Sequence, residues 1–208
     1  MKDLVVLCAD KKIENTMEGL LSRPEALRTR QISYEIKVHS GRDPGCFHHG
    51  HNFLRPLRSQ YGHALVVFDS DWSGAPSQSA EALEQAADAR LRTDWGEKGA
   101  SVVISPELEA WVWSDSPHVA SELGWPSRLG NLRQWLEEKG LWDAGSAKPA
   151  DPKKAVQAAT REARTPWTSA ICKSLASKVS VERCSDRSFQ KLRSILENWF
   201  GEPSGSSG

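Results

Sequence analysis

The sequence predicts an α/β protein with a mostly parallel sheet flanked by helices and with an all-helical C-terminal lobe. Short apolar runs alternate with amphipathic helical stretches as far as about residue 125, which is the order expected when helices connect parallel strands. From Ser127 onward only helical periodicity remains. The 208-residue chain can bury roughly 70% of the surface that it exposes when unfolded, which is enough for a hydrophobic core without disulfides or structural metals.

Four segments have the patterns of strands. Three of them, Leu4–Ala9, Ala64–Phe68 and Ser101–Ile104, are short continuous apolar runs, as expected for buried strands. The fourth, Ile32–Val38, places an apolar or aromatic side chain at every second position. We therefore expect these four segments to form the sheet.

The segments between the strands mostly have helical patterns. We expect helices over Lys11–Ser22, Phe53–Ser59 and Ser79–Leu91. A further helix is expected to begin at Ser105-Pro106, where a serine N-cap would precede a proline at the first helical position. The Gly- and His-rich stretch 39–52 is predicted to be a loop.

The C-terminal part of the chain is predicted to contain helices alone. One helix contains the apolar stripe within 129–136, and a Gly-, Ala- and Pro-rich linker at 140–152 follows it. Three more helices are expected over Ala155–Ala163, Ala170–Lys178 and Ser188–Trp199. These patterns divide the chain into an α/β domain over 1–126, a helical lobe packed on it over 127–200, and a flexible tail over 201–208.

Composition and charge narrow the class of protein. Lys and Arg number 27, as do Asp and Glu, and zero net charge argues against a dedicated high-affinity DNA-binding domain. The charge is uneven, because residues 1–150 carry 17 basic against 21 acidic side chains and residues 151–200 carry 10 against 5. No apolar run has the length of a membrane span or signal peptide, and the four cysteines form no CxxC pair. We therefore expect a cytoplasmic, reduced protein.

Acidic residues follow each of the three apolar strands. They are Asp10 and Glu14 after the first, Asp69 and Asp71 after the second, and Glu107 and Glu109 after the third. Ligands of open α/β sheets bind at the carboxyl ends of the strands, where these side chains would meet. Several carboxylates at one edge repel one another unless a cation lies among them, and oxygen ligands suit Mg²⁺ or Mn²⁺. Such a site can activate a water or hold the oxygens of a phosphodiester during hydrolysis.

Each of these carboxylates also has a structural interpretation. An aspartate after a strand is a common turn residue and helix N-cap, and a glutamate in the first turn of a helix complements the helix dipole. Glu107 and Glu109 flank Leu108, so only one of them is expected to face the site, and the spacing does not choose between them. The occurrence of carboxylates at three strand ends is what favours a metal site.

The acidic motifs resemble those of Toprim-type catalytic domains. More narrowly, they are similar to those of small Toprim-like proteins found beside restriction and phage-defence genes, the RloB-like and related families. The similarity covers residues 3–125 and lies in Asp10-Lys11-Lys12-Ile13-Glu14, Asp69-Ser70-Asp71 and Glu107-Leu108-Glu109-Ala110-Trp111.

The resemblance implies a Mg²⁺- or Mn²⁺-dependent nuclease of a prokaryotic anti-phage defence system, such as a methylation-associated one. In such an enzyme Asp69 and Asp71 would hold the metal. Glu109 would complete the metal's ligands, because it is the glutamate two residues before the tryptophan of the motif. Asp10 or Glu14 would transfer the proton.

The resemblance is incomplete at the first motif. Asp10 stands where the family has a glutamate expected to act as general acid or base, and Lys11 stands where the family has a glycine. Misplacing a catalytic group by about 1 Å can lower the rate roughly 100-fold. The alternative is therefore a catalytically degenerate Toprim-like subunit that binds a larger ATPase, methyltransferase or nuclease of the same system. Trp95, Trp142 and Trp167, the tryptophans in loop-like segments, would then mark the partner surface.

Several side chains are candidates for nucleic-acid contacts. Trp72 follows Asp71 in the expected site loop, where its ring would either stack on a base or pack under its own turn. The other candidates are Arg42, His48 and His51 in the Gly- and His-rich stretch, and Lys153 and Lys154 in the basic lobe. Cys46 with His48, His49 and His51 also suggests a zinc site, although the spacing matches no standard zinc pattern.

Overall fold

The computed structural model describes residues 1–114, 116–180 and 184–202. Within these residues the centre of the molecule is a parallel four-stranded sheet in the order β2-β1-β3-β4. The strands are β1 Lys2–Cys8, β2 Tyr34–Val38, β3 Tyr61–Asp69 and β4 Gly99–Ile104. Helices flank the sheet, so the predicted α/β class is confirmed.

The register brings the carboxyl ends of the strands to one edge. Leu4 of β1 pairs with Tyr34 of β2 and with His63 of β3, and Asp69 at the end of β3 pairs with Ile104 of β4. The apolar runs of β1 and β3 are buried, as expected for strands covered on both faces. Because every pair is parallel, the segments that follow the four strands all start at the same edge.

Most of the helices begin within three residues of the predicted positions, but the helix expected over Phe53–Ser59 is not formed. That stretch holds the end of a longer helix and the 3₁₀ turn Arg55–Leu57. The helices are α1 Lys11–Leu21, α2 Pro24–Leu27, α3 Arg42–Leu54, α4 Ala80–Trp95, α5 His118–Glu122, α6 Leu132–Glu138, α7 Pro152–Ala163, α8 Ser169–Lys178 and α9 Arg187–Phe200. Six of them start at a side chain that accepts a hydrogen bond from the first helical turn: Asp10, Ser79, Asn131, Asp151, Thr168 and Asp186. These caps account for where those helices start.

The Gly- and His-rich stretch predicted to be a loop is instead the helix α3, which continues into a 3₁₀ turn at Arg55–Leu57. Its buried residues recur with helical spacing: Gly45, Cys46, Phe47, Gly50 and Leu54. Gly45 allows a close approach, because a Cβ there would lie 2.2 Å from His39 Nδ1. The loop prediction was wrong because it took the glycines as helix breakers, whereas the glycines lie on the face that packs inward.

The prediction that a helix begins at Ser105-Pro106 is also wrong. The backbone of this segment pairs with the chain leaving β3, since the Asp71 N–H donates to the Pro106 carbonyl oxygen at 3.1 Å. Glu107 is extended, and only the 3₁₀ turn Leu108–Trp111 follows. Hydrogen bonding to the neighbouring strand end therefore overrides the local capping pattern.

Two hydrophobic clusters lie side by side. One surrounds the sheet and takes in side chains of α1, α4 and α9, and the other lies among α5, α6, α7 and α8. Trp167 packs against both clusters. Trp95 and Trp142 are buried, which corrects the expectation that they lie in exposed loops.

The C-terminal helices pack directly on the α/β part. On α1, a Cβ added at Gly19 would lie 2.6 Å from the Lys173 carbonyl oxygen of α8. The Trp111 indole N–H donates to Ser188 Oγ of α9 at 2.8 Å. The described residues after β4 form helices, 3₁₀ turns and loops, so the all-helical C-terminal part is confirmed.

The domain boundary at residue 126 stays a prediction, and residues 203–208 of the predicted tail lie outside the described residues. In the described part of the chain, no helix combines the length and the apolar character needed to cross a membrane.

Candidate active site

Asp69 is the centre of the acidic edge. It is the last residue of β3, and its carboxyl oxygen Oδ1 is buried with no hydrogen-bond partner among the described residues. Burial raises the pKa of this carboxyl group well above its usual range. The nearby carboxyl groups of Asp43, Glu109, Asp10 and Glu107 raise that pKa further, in this order of size. Five carboxyl groups from four segments therefore meet at this edge.

Asp43 is a member of the site that the sequence analysis does not identify. It lies in the first turn of α3, and its Oδ1 accepts a hydrogen bond from the Asp69 backbone N–H at 2.9 Å. Burial raises the pKa of Asp43, and hydrogen bonds from the backbone of Asp69 and of Asp43 itself oppose that rise. The signal in the sequence is its position five residues after Val38, which makes β2 a fourth strand followed by an acidic residue. Because residues 39–52 are predicted to form a loop, Asp43 is not counted among the acidic residues that follow strands.

Glu109 and Glu107 have different surroundings. Glu109 is only 4% exposed, and its Oε1 accepts a hydrogen bond from the Trp167 indole N–H at 2.8 Å. The Lys12 ammonium lies 3.7 Å from the same oxygen. Glu107 forms an ion pair with Lys153 at 2.5 Å. Glu109 is thus the more deeply buried of the two, as the resemblance implies, although both influence Asp69.

Asp10 combines a structural role with a place at the site. Its Oδ1 accepts hydrogen bonds from the backbone N–H groups of Lys12 and Ile13 at 2.8 and 2.9 Å, so it is the N-cap of α1. It is also one of the four carboxyl groups that raise the pKa of Asp69. Glu14, one turn further along α1, pairs with Lys11 at 2.5 Å and is not among those four.

Asp71 and Trp72 lie beyond the acidic centre. Asp71 is exposed and is not among the carboxyl groups that shift the pKa of Asp69. A strand extended through residue 71 would place its side chain on the same face as Asp69, but β3 ends at Asp69. The Asp71 backbone N–H still donates to the Pro106 carbonyl oxygen, while the Asp71 side chain is exposed. The Trp72 ring packs near Phe47 and Phe68, with ring centroids 5.8 and 6.0 Å apart.

The candidates for nucleic-acid contacts are spread over three places. Arg42 is exposed at the start of α3, beside the carboxyl edge. His48 is exposed in the middle of α3, and His51 is half-buried near its end, where burial and the charges of Arg90 and Arg55 lower its pKa. Both histidines therefore lie along α3 towards the opposite edge of the sheet. In the basic helix α7, Lys153 contacts Glu107, and Lys154 is exposed.

The acidic side chains described at this edge are not arranged as a set of metal ligands. Across the described ranges, no group of three or more His, Cys, Asp or Glu side chains is arranged to hold a metal ion. For the suggested zinc site, Cys46 is 2% exposed and faces the core, whereas His48 is exposed, so the two do not converge. At the acidic edge, Asp69 Oδ1 is buried without a hydrogen-bond partner among the described residues.

The fold and the site together define an α/β protein with a cluster of carboxyl groups at the carboxyl edge of a parallel sheet. Comparisons with protein-family models, with curated proteins and with solved structures found no match.

Proposed function

We propose that this protein is a Mg²⁺- or Mn²⁺-dependent phosphodiester hydrolase that cuts nucleic acid in a prokaryotic anti-phage defence system. The proposal is carried by the buried Asp69 carboxyl group, which lacks a hydrogen-bond partner at Oδ1 among the described residues and lies amid four further carboxyl groups. A buried carboxylate without donors is unfavourable, and a hard divalent cation is the ligand that would stabilise it. The resemblance to Toprim-like proteins supports the nucleic-acid substrate and the defence setting.

The residues at this edge fit a divalent cation by the chemistry of their donors. Asp69 and Glu109, with Asp43 as an addition from the structure, offer carboxylate oxygens from three different elements. A bound Mg²⁺ or Mn²⁺ would polarise the scissile phosphate and lower the pKa of a water. Asp71 lies at the exposed rim two residues after Asp69.

The chain's own residues would manage proton transfer and charge. The N-cap hydrogen bonds of Asp10 use only Oδ1, which leaves Oδ2 to accept a proton from an attacking water. Lys153 and Lys12 lie beside Glu107 and Glu109, where their positive charges would offset those of a phosphodiester. The ion pair with Glu107 raises the pKa of Lys153, so this side chain stays protonated at neutral pH.

A second candidate is a catalytically degenerate subunit that binds a larger defence protein. It is favoured by the same two lysines, since Lys12 and Lys153 already neutralise Glu109 and Glu107 without a metal. The role of Asp10 as a helix N-cap also accounts for that residue without catalysis. The two candidates differ in whether the edge binds a metal.

Thermal unfolding with and without millimolar Mg²⁺ or Mn²⁺ tests the proposal. We expect the metal to raise the Tm of the wild type, because saturation at 100 times the Kd stabilises a native site by about 2.7 kcal/mol. Asp69→Asn should abolish this rise. Asp143→Asn removes the same charge from an exposed position in the helical part and should respond like the wild type.

A Tm that neither metal changes in the wild type would reject the metal site and favour the degenerate subunit. An equal metal response in all three proteins would assign the metal to another place. If only Asp69→Asn loses the response, cleavage of labelled single- and double-stranded DNA and RNA in Mn²⁺ then identifies the substrate.

A further inference from the structure

We propose that a cleft beside the acidic edge binds one nucleotide of a single-stranded nucleic acid, holding its phosphate on basic side chains and its base on Trp167. This inference rests on the proposed function, because it names the form of substrate that the acidic edge would cut. The cleft has a volume of about 450 Å³, within the usual range for small-ligand sites.

The cleft lies where three elements meet at the carboxyl edge. Its walls come from the start of α1, from the connection between β2 and α3, and from residues 167–169 at the start of α8. None of these segments is adjacent to another in the chain. The sequence therefore gives no direct sign that they form one surface.

The charge of the lining suits a phosphate. Three of the lining side chains carry a positive charge, Lys11, Lys12 and Arg42, and one, Asp10, is acidic. Lys11 and Lys12 pair with Glu14 and Glu109, and His39 also lines the cleft. Asp10 also turns its Oδ1 towards the backbone of α1.

Arg42 is exposed, and its charge opposes the rise that burial causes in the pKa of the neighbouring Asp43. No salt bridge within 4.0 Å is found for Arg42 among the described residues. Its guanidinium can therefore donate the two parallel hydrogen bonds that phosphate oxygens accept.

Trp167 supplies an aromatic surface in the same cleft. Its ring is half-buried, and the hydrogen bond from its N–H to Glu109 holds the ring in position. The Lys12 ammonium lies 5.7 Å from the centre of the ring. An aromatic face beside cations is the combination by which proteins bind single strands, because an unpaired base can stack on the ring while its phosphate contacts the cations. A duplex keeps its bases stacked and offers none to the ring.

The cleft is joined to the acidic edge through Glu109. Both Trp167 and Lys12 contact Glu109 Oε1, at 2.8 and 3.7 Å. A nucleotide stacked on Trp167 would therefore bring its neighbouring phosphate towards the carboxyl groups around Asp69. This arrangement separates binding of the strand from the site of cleavage.

Fluorescence anisotropy in EDTA tests binding without cleavage. The probes are short labelled single strands of DNA and RNA, with a labelled duplex for comparison. We expect the full chain to bind at least one single strand more tightly than the duplex. Arg42→Gln should weaken that binding about tenfold and reduce the slope of log K against log salt by about 0.7, the value for one lost phosphate contact on a single strand.

Arg58→Gln is the matched control, because it removes the same side chain from an exposed position just before β3, at the opposite edge of the sheet. It should leave the affinity unchanged. Trp167→Phe should keep most of the affinity, and Trp167→Leu should lower it at least about fivefold. If Trp167→Leu does not fold, the comparison of Arg42→Gln with Arg58→Gln still tests the cleft.

The proposal is overturned if the wild type binds no single strand in EDTA, or if the two arginine variants bind equally. The failure of the proposed function looks different. Single strands that bind in the cleft without Mg²⁺- or Mn²⁺-dependent cleavage would leave the cleft in place and reject the nuclease. Metal-dependent cleavage that Arg42→Gln and Trp167→Leu do not change would support the nuclease and reject the cleft.

Discussion

At the scale of single residues, the buried carboxyl groups of the acidic edge lower the stability of the fold. The buried Asp69 carboxyl group has no hydrogen-bond partner at Oδ1 among the described residues, and its neighbours are also acidic. An unsatisfied buried polar group costs about 1–3 kcal/mol, and more when it is charged. A residue chosen for folding alone would be neutral here.

Asp69→Asn should therefore stabilise the metal-free protein. The substitution keeps the shape of the side chain and removes the charge, so we expect the free energy of unfolding in EDTA to rise by about 1 kcal/mol or more. Urea unfolding near neutral pH measures this change. Asp143→Asn, at an exposed position, should change the free energy by less than about 0.5 kcal/mol. An Asp69→Asn protein less stable than the wild type in EDTA would contradict this account of the site.

At the scale of elements, some helices can be predicted from the sequence and others cannot. The patterns of α1, α4 and α7 to α9 are evident because each combines a capping residue with an apolar stripe. Helix α3 is hidden because two of its buried positions are glycines, whose packing role appears only beside the sheet. Gly19 has a similar role where α1 meets α8.

Two glycine-to-alanine substitutions in helices should differ in their effect on stability. Alanine favours a helix over glycine by about 1 kcal/mol. At Gly19 the new methyl group would lie 2.6 Å from a backbone oxygen of α8, and overpacking of this kind costs about 1–3 kcal/mol, so Gly19→Ala should destabilise the protein. At Gly50 the nearest atoms are 3.5 Å away, so Gly50→Ala should be neutral or stabilising. Urea unfolding of both variants checks the prediction, and a stabilised Gly19→Ala would refute the close contact.

At the scale of the whole molecule, the C-terminal helix α9 packs against the central sheet. The His63 ring of β3 contacts the rings of Trp199 and Phe200 of α9, with centroids 4.8 and 4.9 Å away. Burial lowers the pKa of His63, Lys98 and Arg30 lower it slightly further, and Asp3 opposes them. The neutral imidazole is therefore the form that the packed structure prefers.

The contribution of His63 to stability should consequently be lost as the pH is lowered from about 7 to 5. Asp69, whose pKa is raised by burial, acts in the opposite direction in both the wild type and a His63 variant. A histidine whose pKa is lower in the folded than in the unfolded chain stabilises the fold above its unfolded value of 6.5, and this contribution is lost as the pH falls through the folded value. His63→Gln should show a smaller fall over this range, because glutamine does not titrate. Urea unfolding at several pH values makes the comparison. The half-buried His39 and His51 remain in both proteins, so equal falls would show that His63 has no part in it.

The sequence by itself determined the α/β class, the approximate strands and most helices, because apolar periodicity and capping residues act locally. It also identified Asp69, Asp10 and Glu109 as residues at the carboxyl edge, since parallel strands end together. The tertiary structure decided which carboxyl groups surround Asp69. It brought in Asp43 and left out Asp71 and Glu14.

The tertiary structure also decided the arrangement of Trp167 and Lys12 around Glu109. The reason is physical: these contacts join residues far apart in the chain, and their geometry depends on how helices dock on the sheet. Local sequence patterns carry no information about that docking.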